Sequence, residues 1–168
     1  MYANKKGLKY LHGVEIYLTH SLENKVRDNY HTILIAKNKE GIKELNLLVD
    51  LSTREDHMYY KPRISFDEFF NISDNIIKIS ACLASPLSKY PSSEQADRDV
   101  YEKLLKSYDY YEIQPHVKSL EQIQYNKMLY EASKRYDIPL IAGTDTHSIN
   151  QYKAECRSIL QKAKHIEF

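Results

Sequence analysis

The 168-residue sequence predicts one α/β domain in which parallel strands alternate with helices. Short apolar segments of strand type are separated, after an initial strand pair, by longer segments with helical periodicity. Parallel strands require such crossover helices, whereas antiparallel neighbours can be joined by a short turn. In addition, acidic, histidine and cysteine residues follow the ends of several predicted strands, where sites lie in α/β folds.

The composition limits the functional classes without selecting one. Lys and Arg total 24 against 23 Asp and Glu, so the net charge gives no indication of a nucleic-acid partner, although a local basic patch would be hidden in the sum. No apolar run approaches the ~20 residues needed to span a bilayer. Cys82 and Cys156 are too few for a disulfide framework. We therefore predict a soluble protein of a reducing compartment, the cytoplasm, with no membrane partner.

The first predicted elements are the last turn of a helix, residues 1–7, and two strands. Residues 11–20 alternate between apolar and polar positions, and residues 31–37 are rich in β-branched side chains. The polar connection between them has no helical pattern, so we expect an antiparallel hairpin with His31 near the end of the preceding strand. Glu15 needs a partner if its face of the first strand is buried; the alternative is a solvent-exposed face.

The next elements are a helix over residues 39–54, an extended link over 57–63 and a third strand over 76–82. The helix places four apolar side chains at core spacing, namely Ile42, Leu45, Leu48 and Val49. Ser65 is predicted to cap a short helix that ends at Phe70, with Glu68 completing a capping box. The third strand ends at Cys82, whose thiol is either a small apolar core group or a metal ligand.

The remaining elements are a loop over 85–93, a helix over 94–106, a strand over 108–116, a helix over 120–136, a strand over 140–142 and a helix over about 150–165. The strand over 108–116 places Glu112, Gln114 and His116 on one face. Such a polar face either contacts solvent or forms the mouth of a site.

The polar tip that follows the last predicted strand contains the strongest local indication of chemistry. Asp145 and His147 are two residues apart, so on an extended backbone they lie on the same side. A carboxylate beside an imidazole suits metal binding or acid–base catalysis. The alternative is that Asp145 caps the following helix and His147 is an ordinary loop residue.

Parallel strands would bring these polar residues to one rim of the fold. Cys82 and His116 are the last residues of their predicted strands, Asp145 and His147 follow the end of theirs, and the hairpin would add Glu15 and His31. A mixed set of nitrogen, oxygen and sulfur ligands suits zinc, manganese or iron. More than four ligands would imply more than one ion, as in sites for phosphoryl transfer.

The order and spacing of several motifs resemble the polymerase and histidinol phosphatase (PHP) domain, in the form found in bacterial DNA polymerase III alpha subunits. The motifs are Gly13-Val14-Glu15, Tyr30-His31, Ala36-Lys37-Asn38, Tyr60-Lys61-Pro62-Arg63-Ile64, Ser80-Ala81-Cys82-Leu83, Glu112-Ile113-Gln114-Pro115-His116 and Thr144-Asp145-Thr146-His147. Each motif is weak alone, but the ordered set covers nearly the whole chain.

The resemblance implies a distorted (β/α)7 barrel with a trinuclear metal cluster at its carboxyl rim. It implies that five residues match metal-ligand positions: Glu15, His31, Cys82, Asp145 and His147. His116 matches a recurrent histidine near the site, and Arg63 is a candidate phosphate contact. Standalone members of the family hydrolyse phosphoesters. Polymerase members are linked to 3′–5′ exonuclease activity or to a structural role beside the polymerase and its proofreading partner.

The sequence departs from the family pattern at its start. The opening His-x-His motif and the following Asp-His pair have no counterpart, so we expect residues 1–168 to form a partial PHP domain whose barrel lacks its first strands. The expected partners are DNA, through a parent polymerase, and other replicase subunits. Alternative functions are a non-catalytic scaffold that docks a polymerase or exonuclease, and a standalone PHP phosphatase.

Overall fold

The computed structural model describes residues 2–23, 25–116 and 119–164. Its strands are β1 (Gly13–Thr19), β2 (Tyr30–Ala36), β3 (Arg63–Ser65), β4 (Ile76–Ile79), β5 (Tyr111–Ile113) and β6 (Leu140–Ala142). Its α-helices are α1 (Tyr2–Lys5), α2 (Lys39–Ser52), α3 (Phe66–Phe70), α4 (Pro86–Lys89), α5 (Arg98–Lys106), α6 (Leu120–Tyr136) and α7 (Gln151–Ala163), and a 3-10 turn covers Tyr90–Ser92. The mixed α/β class is therefore confirmed.

The strands form a four-stranded sheet in the order β3-β1-β2-β4 and a two-stranded sheet, β5-β6. A single parallel bridge between Ile79 and Tyr110 joins the end of β4 to the start of the second sheet. Because β2 is antiparallel to both β1 and β4 while β3 is parallel to β1, β2 alone among the described strands runs against the others. These strands do not close into a barrel within the described part of the chain.

The predicted hairpin is confirmed, and its register places Tyr17 opposite His31 and Glu15 opposite Ile33. The predicted extended link over 57–63 leads into a strand that was not predicted, β3, which pairs in parallel with β1. The strands after the hairpin run parallel to one another as predicted: β4 is bridged in parallel to Tyr110, and β5 pairs in parallel with β6. The pairing of β4 with the hairpin strand β2, which is antiparallel, was not predicted. The edge strand β3 has only three residues, too few to show a period of two in the sequence, so its pairing is decided by residues far away in the sequence.

The hydrophobic core lies between the four-stranded sheet and the helices that follow its strands. Ile16, Leu18 and Leu34 point into it from the two central strands, and Leu45 packs against it from α2. Val49, which was predicted to face the core, is 41% exposed. The buried positions of α2 are Gly41, Leu45 and Ser52, so its buried stripe is narrower than the periodicity predicted.

Local signals set several element ends. Ser65 and Glu68 form the predicted capping box at the start of α3. The predicted loop over 85–93 is instead mostly helical: Ser85 accepts a hydrogen bond from the Leu87 amide, and Pro86 occupies the first turn, where its fixed φ favours helix. The strand predicted over 108–116 ends at Ile113, because the backbone of Gln114 bonds to the Asn126 side chain instead of to another strand.

The final helix, α7, lies at the surface. It was predicted as a helix over about 150–165 and spans Gln151–Ala163, with Asn150 as its cap. None of its residues is buried, and Tyr152, Ile159 and Leu160 are more than half exposed. Among the described residues, no helix combines the length and the apolar character that a bilayer span would require.

Candidate metal centre

The hairpin brings two of the predicted ligands together. Glu15 and Tyr17 lie on the same side of β1, and His31 opposes Tyr17 at the start of β2. The His31 Nδ1 atom is 3.1 Å from Glu15 Oε1, and its ring packs against the Tyr17 ring with centroids 4.7 Å apart. Both side chains are partly exposed, so this pair lies on a face of the two central strands that solvent reaches and not in the core.

Cys82 joins this pair from the loop that follows β4. Its Sγ atom is 3.7 Å from His31 Nδ1. The loop turns sharply, with Ala81 in the left-handed region at a φ of 57°, and the His31 amide donates to the carbonyl of Ala84. Burial raises the pKa of the Cys82 thiol, and the charges of Asp145 and Glu15 raise it further. A cation in contact with the sulfur would instead favour the thiolate.

The tip after β6 supplies two more of the predicted residues. Asp145 has a φ of 45°, and His147 Nδ1 lies 2.6 Å from the backbone oxygen of Asp145. The alternative in which Asp145 caps the last helix is wrong, because Asn150 fills that position. A histidine that donates from one ring nitrogen to a backbone carbonyl keeps the other nitrogen available for a metal ion. His147 is about half exposed at its side chain and therefore has this nitrogen available at the surface.

A cavity of about 130 Å³ connects these groups. It is lined by Glu15, Ile33, Cys82, Glu112, Gln114, Gly143, Thr144 and Asp145. Three predicted ligands thus line one space, and His31 contacts two of them. His147 contacts Asp145 without lining the cavity, while His116 is exposed after β5 and is not part of the lining.

Arg63, the candidate phosphate contact, points away from solvent. It is 2% exposed, and its Nη1 atom donates to the carbonyl oxygens of Val26 and Asp28 at 2.6 and 3.1 Å. Burial lowers the pKa of this guanidinium, while the nearby charge of Asp28 acts in the opposite direction. The guanidinium thus holds the loop before β2 against β3, and we leave Arg63 out of the candidate site.

The match to a family model decides the classification. The model of the PHP domain matches residues 1–116 of this chain. The chain belongs to the PHP family. The resemblance inferred from the ordered motifs is therefore confirmed.

Curated relatives carry the names of replicative polymerases. The chain is 31% identical to the DNA polymerase III subunit alpha of Borreliella burgdorferi over 94% of its length, and 31% identical to that of Aquifex aeolicus over 92%. It is 30% identical to the PolC-type DNA polymerase III of Clostridium perfringens over 78% of its length. It spans only 15% of the length of each alpha subunit and 10% of the PolC-type protein.

The donor atoms of this PHP domain can be compared with the geometry of a metal site. Two ligands of one tetrahedral zinc ion lie roughly 3.3–3.6 Å apart, because metal–ligand distances are about 2.0–2.3 Å. The distances from His31 Nδ1 to Glu15 Oε1 and to Cys82 Sγ, 3.1 and 3.7 Å, are close to this range. Within residues 2–23, 25–116 and 119–164, however, no three acidic, histidine or cysteine side chains converge into a closed ligand group. The donor types and the two pair distances fit a divalent ion, but the described part of the domain does not contain a complete set of three ligands around one point.

Three residues of this cavity, Ile33, Gly143 and Thr144, were not predicted to be part of its wall. Gly143 precedes the Asp145 tip, and a Cβ atom at this position would lie 2.3 Å from the Glu112 carboxyl group. Thr144 lines the cavity beside it. The polar face of Glu112 and Gln114 was predicted to contact either solvent or a site; both residues are buried and line the cavity. A glycine directly after a strand, here β6, is the signal that indicates a close approach at this point, although β6 itself is largely exposed and not buried.

Proposed function

We propose that this PHP domain binds divalent metal ions and has a phosphoesterase site of the 3′–5′ exonuclease type, as part of a DNA polymerase III alpha subunit. The supporting observation is that Glu15, Cys82 and Asp145 line one cavity with His31 in contact with its edge. These side chains come from separate segments of the chain, so local sequence does not explain their convergence. Oxygen, nitrogen and sulfur donors in one space suit zinc, manganese or iron.

Each residue has a distinct role in this proposal. Glu15 and Asp145 provide carboxylate oxygens, His31 provides an imidazole nitrogen and Cys82 provides a thiolate. His147 is the outermost ligand, oriented by the contact of its Nδ1 atom with the Asp145 carbonyl. When bound, a divalent ion supplies Lewis acidity toward a phosphoryl oxygen and lowers the pKa of water. His116 stays a predicted ligand.

The proposed biological setting follows from the relatives. They are named as DNA polymerase III subunits, so we propose DNA and other replicase subunits as partners and the bacterial cytoplasm as the location. Both cysteines of the described chain are free thiols, which agrees with a reducing compartment. The phosphodiester at a DNA 3′ end is the proposed substrate.

Metal content is the direct test of the ligand assignment. The purified chain is exposed to zinc or manganese, desalted and analysed for retained metal. We expect near-stoichiometric metal in the wild type and a loss of at least half of it in Cys82→Ser, because the thiolate is the softest ligand in the set. Cys156→Ser is the matched control, since Cys156 is exposed in α7 and is not part of the cavity lining. Equal metal content in Cys82→Ser and Cys156→Ser would exclude the proposed centre.

Hydrolysis is measured separately on metal-loaded protein. Single-stranded DNA labelled at its 5′ end should be shortened from the 3′ end, and Asp145→Asn should abolish this activity. Preferential hydrolysis of a small phosphomonoester would favour a standalone phosphatase instead.

Two observations favour a second function, a non-catalytic scaffold for a polymerase or exonuclease. The described residues contain no closed group of three metal ligands, and apolar side chains of α7 such as Ile159 are largely exposed. A scaffold predicts no hydrolysis with any divalent metal, together with measurable binding of a replicase subunit.

A further inference from the structure

We propose that Glu112 is an additional carboxylate ligand of the cation in this cavity, with Gln114 and Gly143 holding it in place. The inference rests on the proposed metal site and extends it. The family resemblance assigns ligand roles to other residues, whereas Glu112 is identified by its position in the cavity wall.

The first observation is the burial and partial pairing of Glu112. The residue lies in the middle of β5 and is 8% exposed. Its backbone N–H donates to Ser80 Oγ at 2.9 Å, and its Oε1 atom accepts from Gln114 Nε2 at 2.7 Å. Among the described residues, no hydrogen bond reaches the other carboxylate oxygen. This second oxygen is not one of the buried atoms without a partner, so it is open to the cavity that Glu112 lines. A mostly buried carboxylate with one oxygen held by an amide and the other open to a cavity is placed to contact a cation there.

The second observation is the space that Gly143 leaves for this carboxylate. A Cβ atom at position 143 would lie 2.3 Å from both Cδ and Oε1 of Glu112, so the glycine permits the close approach. The Gly143 amide donates to the carbonyl of Ile113, which keeps the end of β6 beside the end of β5. The absence of a side chain at position 143 therefore leaves room for the Glu112 carboxyl group in the cavity wall.

The third observation is the charge of the cavity. Glu112 shares the lining of about 130 Å³ with Glu15 and Asp145, so three carboxylates face one small space. Like charges in such a space repel one another, and a bound cation removes this repulsion. A purely structural Glu112–Gln114 pair would explain the hydrogen bond but not the position of the carboxylate in the lining of a cavity that holds two other acids and a thiol.

The chemistry of Glu112 predicts which metal it affects most. Carboxylate oxygens suit manganese, whereas thiolate and imidazole ligands favour zinc. The loss of Glu112 should therefore weaken manganese binding more than zinc binding. A residue that only stabilises the fold would weaken both equally, through the fraction of folded protein.

Equilibrium dialysis against manganese or zinc tests this inference on the whole 168-residue chain. Glu112→Gln keeps the size of the side chain and removes its charge; we expect a loss of manganese affinity of about 10–100-fold and a smaller loss of zinc affinity. Gln114→Met removes the amide that orients Glu112 and should give a smaller loss in the same direction. Glu131→Gln, at an exposed position of α6, is the charge-matched control and should bind as the wild type does.

The outcomes separate the two proposals. If the wild type binds metal and Glu112→Gln retains its manganese affinity within about twofold, the role of Glu112 is refuted while the metal centre stands. Equal losses for manganese and zinc would also refute it. If circular dichroism shows that Glu112→Gln does not fold, Gln114→Met decides, and unchanged manganese affinity in that variant overturns the inference. If the wild type binds neither metal, the metal centre and the role of Glu112 both fail.

Discussion

Replacement of Arg63 distinguishes a structural guanidinium from a phosphate-binding one. The Nη1 atom of Arg63 bridges the carbonyl oxygens of Val26 and Asp28, and the side chain is 2% exposed. Hydrogen bonds that involve a charged group contribute about 1.5–3 kcal/mol each. Two such bonds give about 3–6 kcal/mol, and we expect Arg63→Met to lower the free energy of unfolding by about 3 kcal/mol, the lower end, since the two bonds share one nitrogen atom.

Urea unfolding followed by circular dichroism measures this change through the midpoint and the slope of the transition. Arg63→Lys retains the charge and one donor group, so about half of the loss should be recovered. Arg54→Met is the matched control: Arg54 is 60% exposed in its ion pair with Asp50, and its loss should change the free energy of unfolding by no more than about 0.5 kcal/mol.

The reasoning is refuted if Arg63→Met unfolds within about 1 kcal/mol of the wild type and at the same time loses affinity for single-stranded DNA. That result would mean that the guanidinium leaves its buried position and contacts phosphate, as the sequence alone suggested. Reduced stability together with unchanged DNA affinity in the folded fraction supports the structural role.

Two further predictions concern stability. Burial alone would lower the pKa of His57, but its hydrogen bonds to Glu68 and Asp56 outweigh that effect and raise the pKa. The stability that His57 contributes is therefore fully present below about pH 6.5, the ordinary histidine value, and is lost as the pH rises through the higher pKa of the folded state. The urea midpoint of the wild type should fall between about pH 6 and pH 9. An equal fall of the midpoint with pH in His57→Gln would contradict this assignment. Leu34→Ala, at a fully buried position, should lower the free energy of unfolding by about 2.7–5 kcal/mol. Leu47→Ala, at a position that is 67% exposed, should change the free energy of unfolding by less than about 0.5 kcal/mol in the same urea titration. Equal effects of the two substitutions would show that the core is placed wrongly.

Local signals in the sequence predicted most of the elements. The hairpin follows from one alternating segment and one segment rich in β-branched residues, joined by a short polar connection, and β6 was predicted with the observed bounds. The capping box of Ser65 and Glu68 was predicted from their spacing alone. These features depend on residues within a few positions of one another, so they are readable without knowledge of the fold.

The candidate site was predicted in part. The motif order identified the PHP family and placed Glu15, Cys82 and Asp145 together, and the structure brings these residues to one cavity. His116 was predicted at the same rim but lies exposed outside the lining. The strand that should direct its side chain ends at Ile113, because Asn126 takes over the hydrogen bonds of the Gln114 backbone.

The sequence by itself therefore determined the α/β class, the hairpin, the capping box of α3 and the family, because each of these rests on local spacing or on ordered motifs. Only the tertiary structure decided the pairing of β3 with β1, the burial of Arg63 and the position of Glu112 in the cavity wall. Each of the last three depends on contacts between residues more than 30 positions apart, such as Arg63 with Val26 and Glu112 with Gly143. A polar side chain has the same local pattern whether it meets solvent, a backbone carbonyl or a metal site, so its role is decided by the segments that the fold brings next to it.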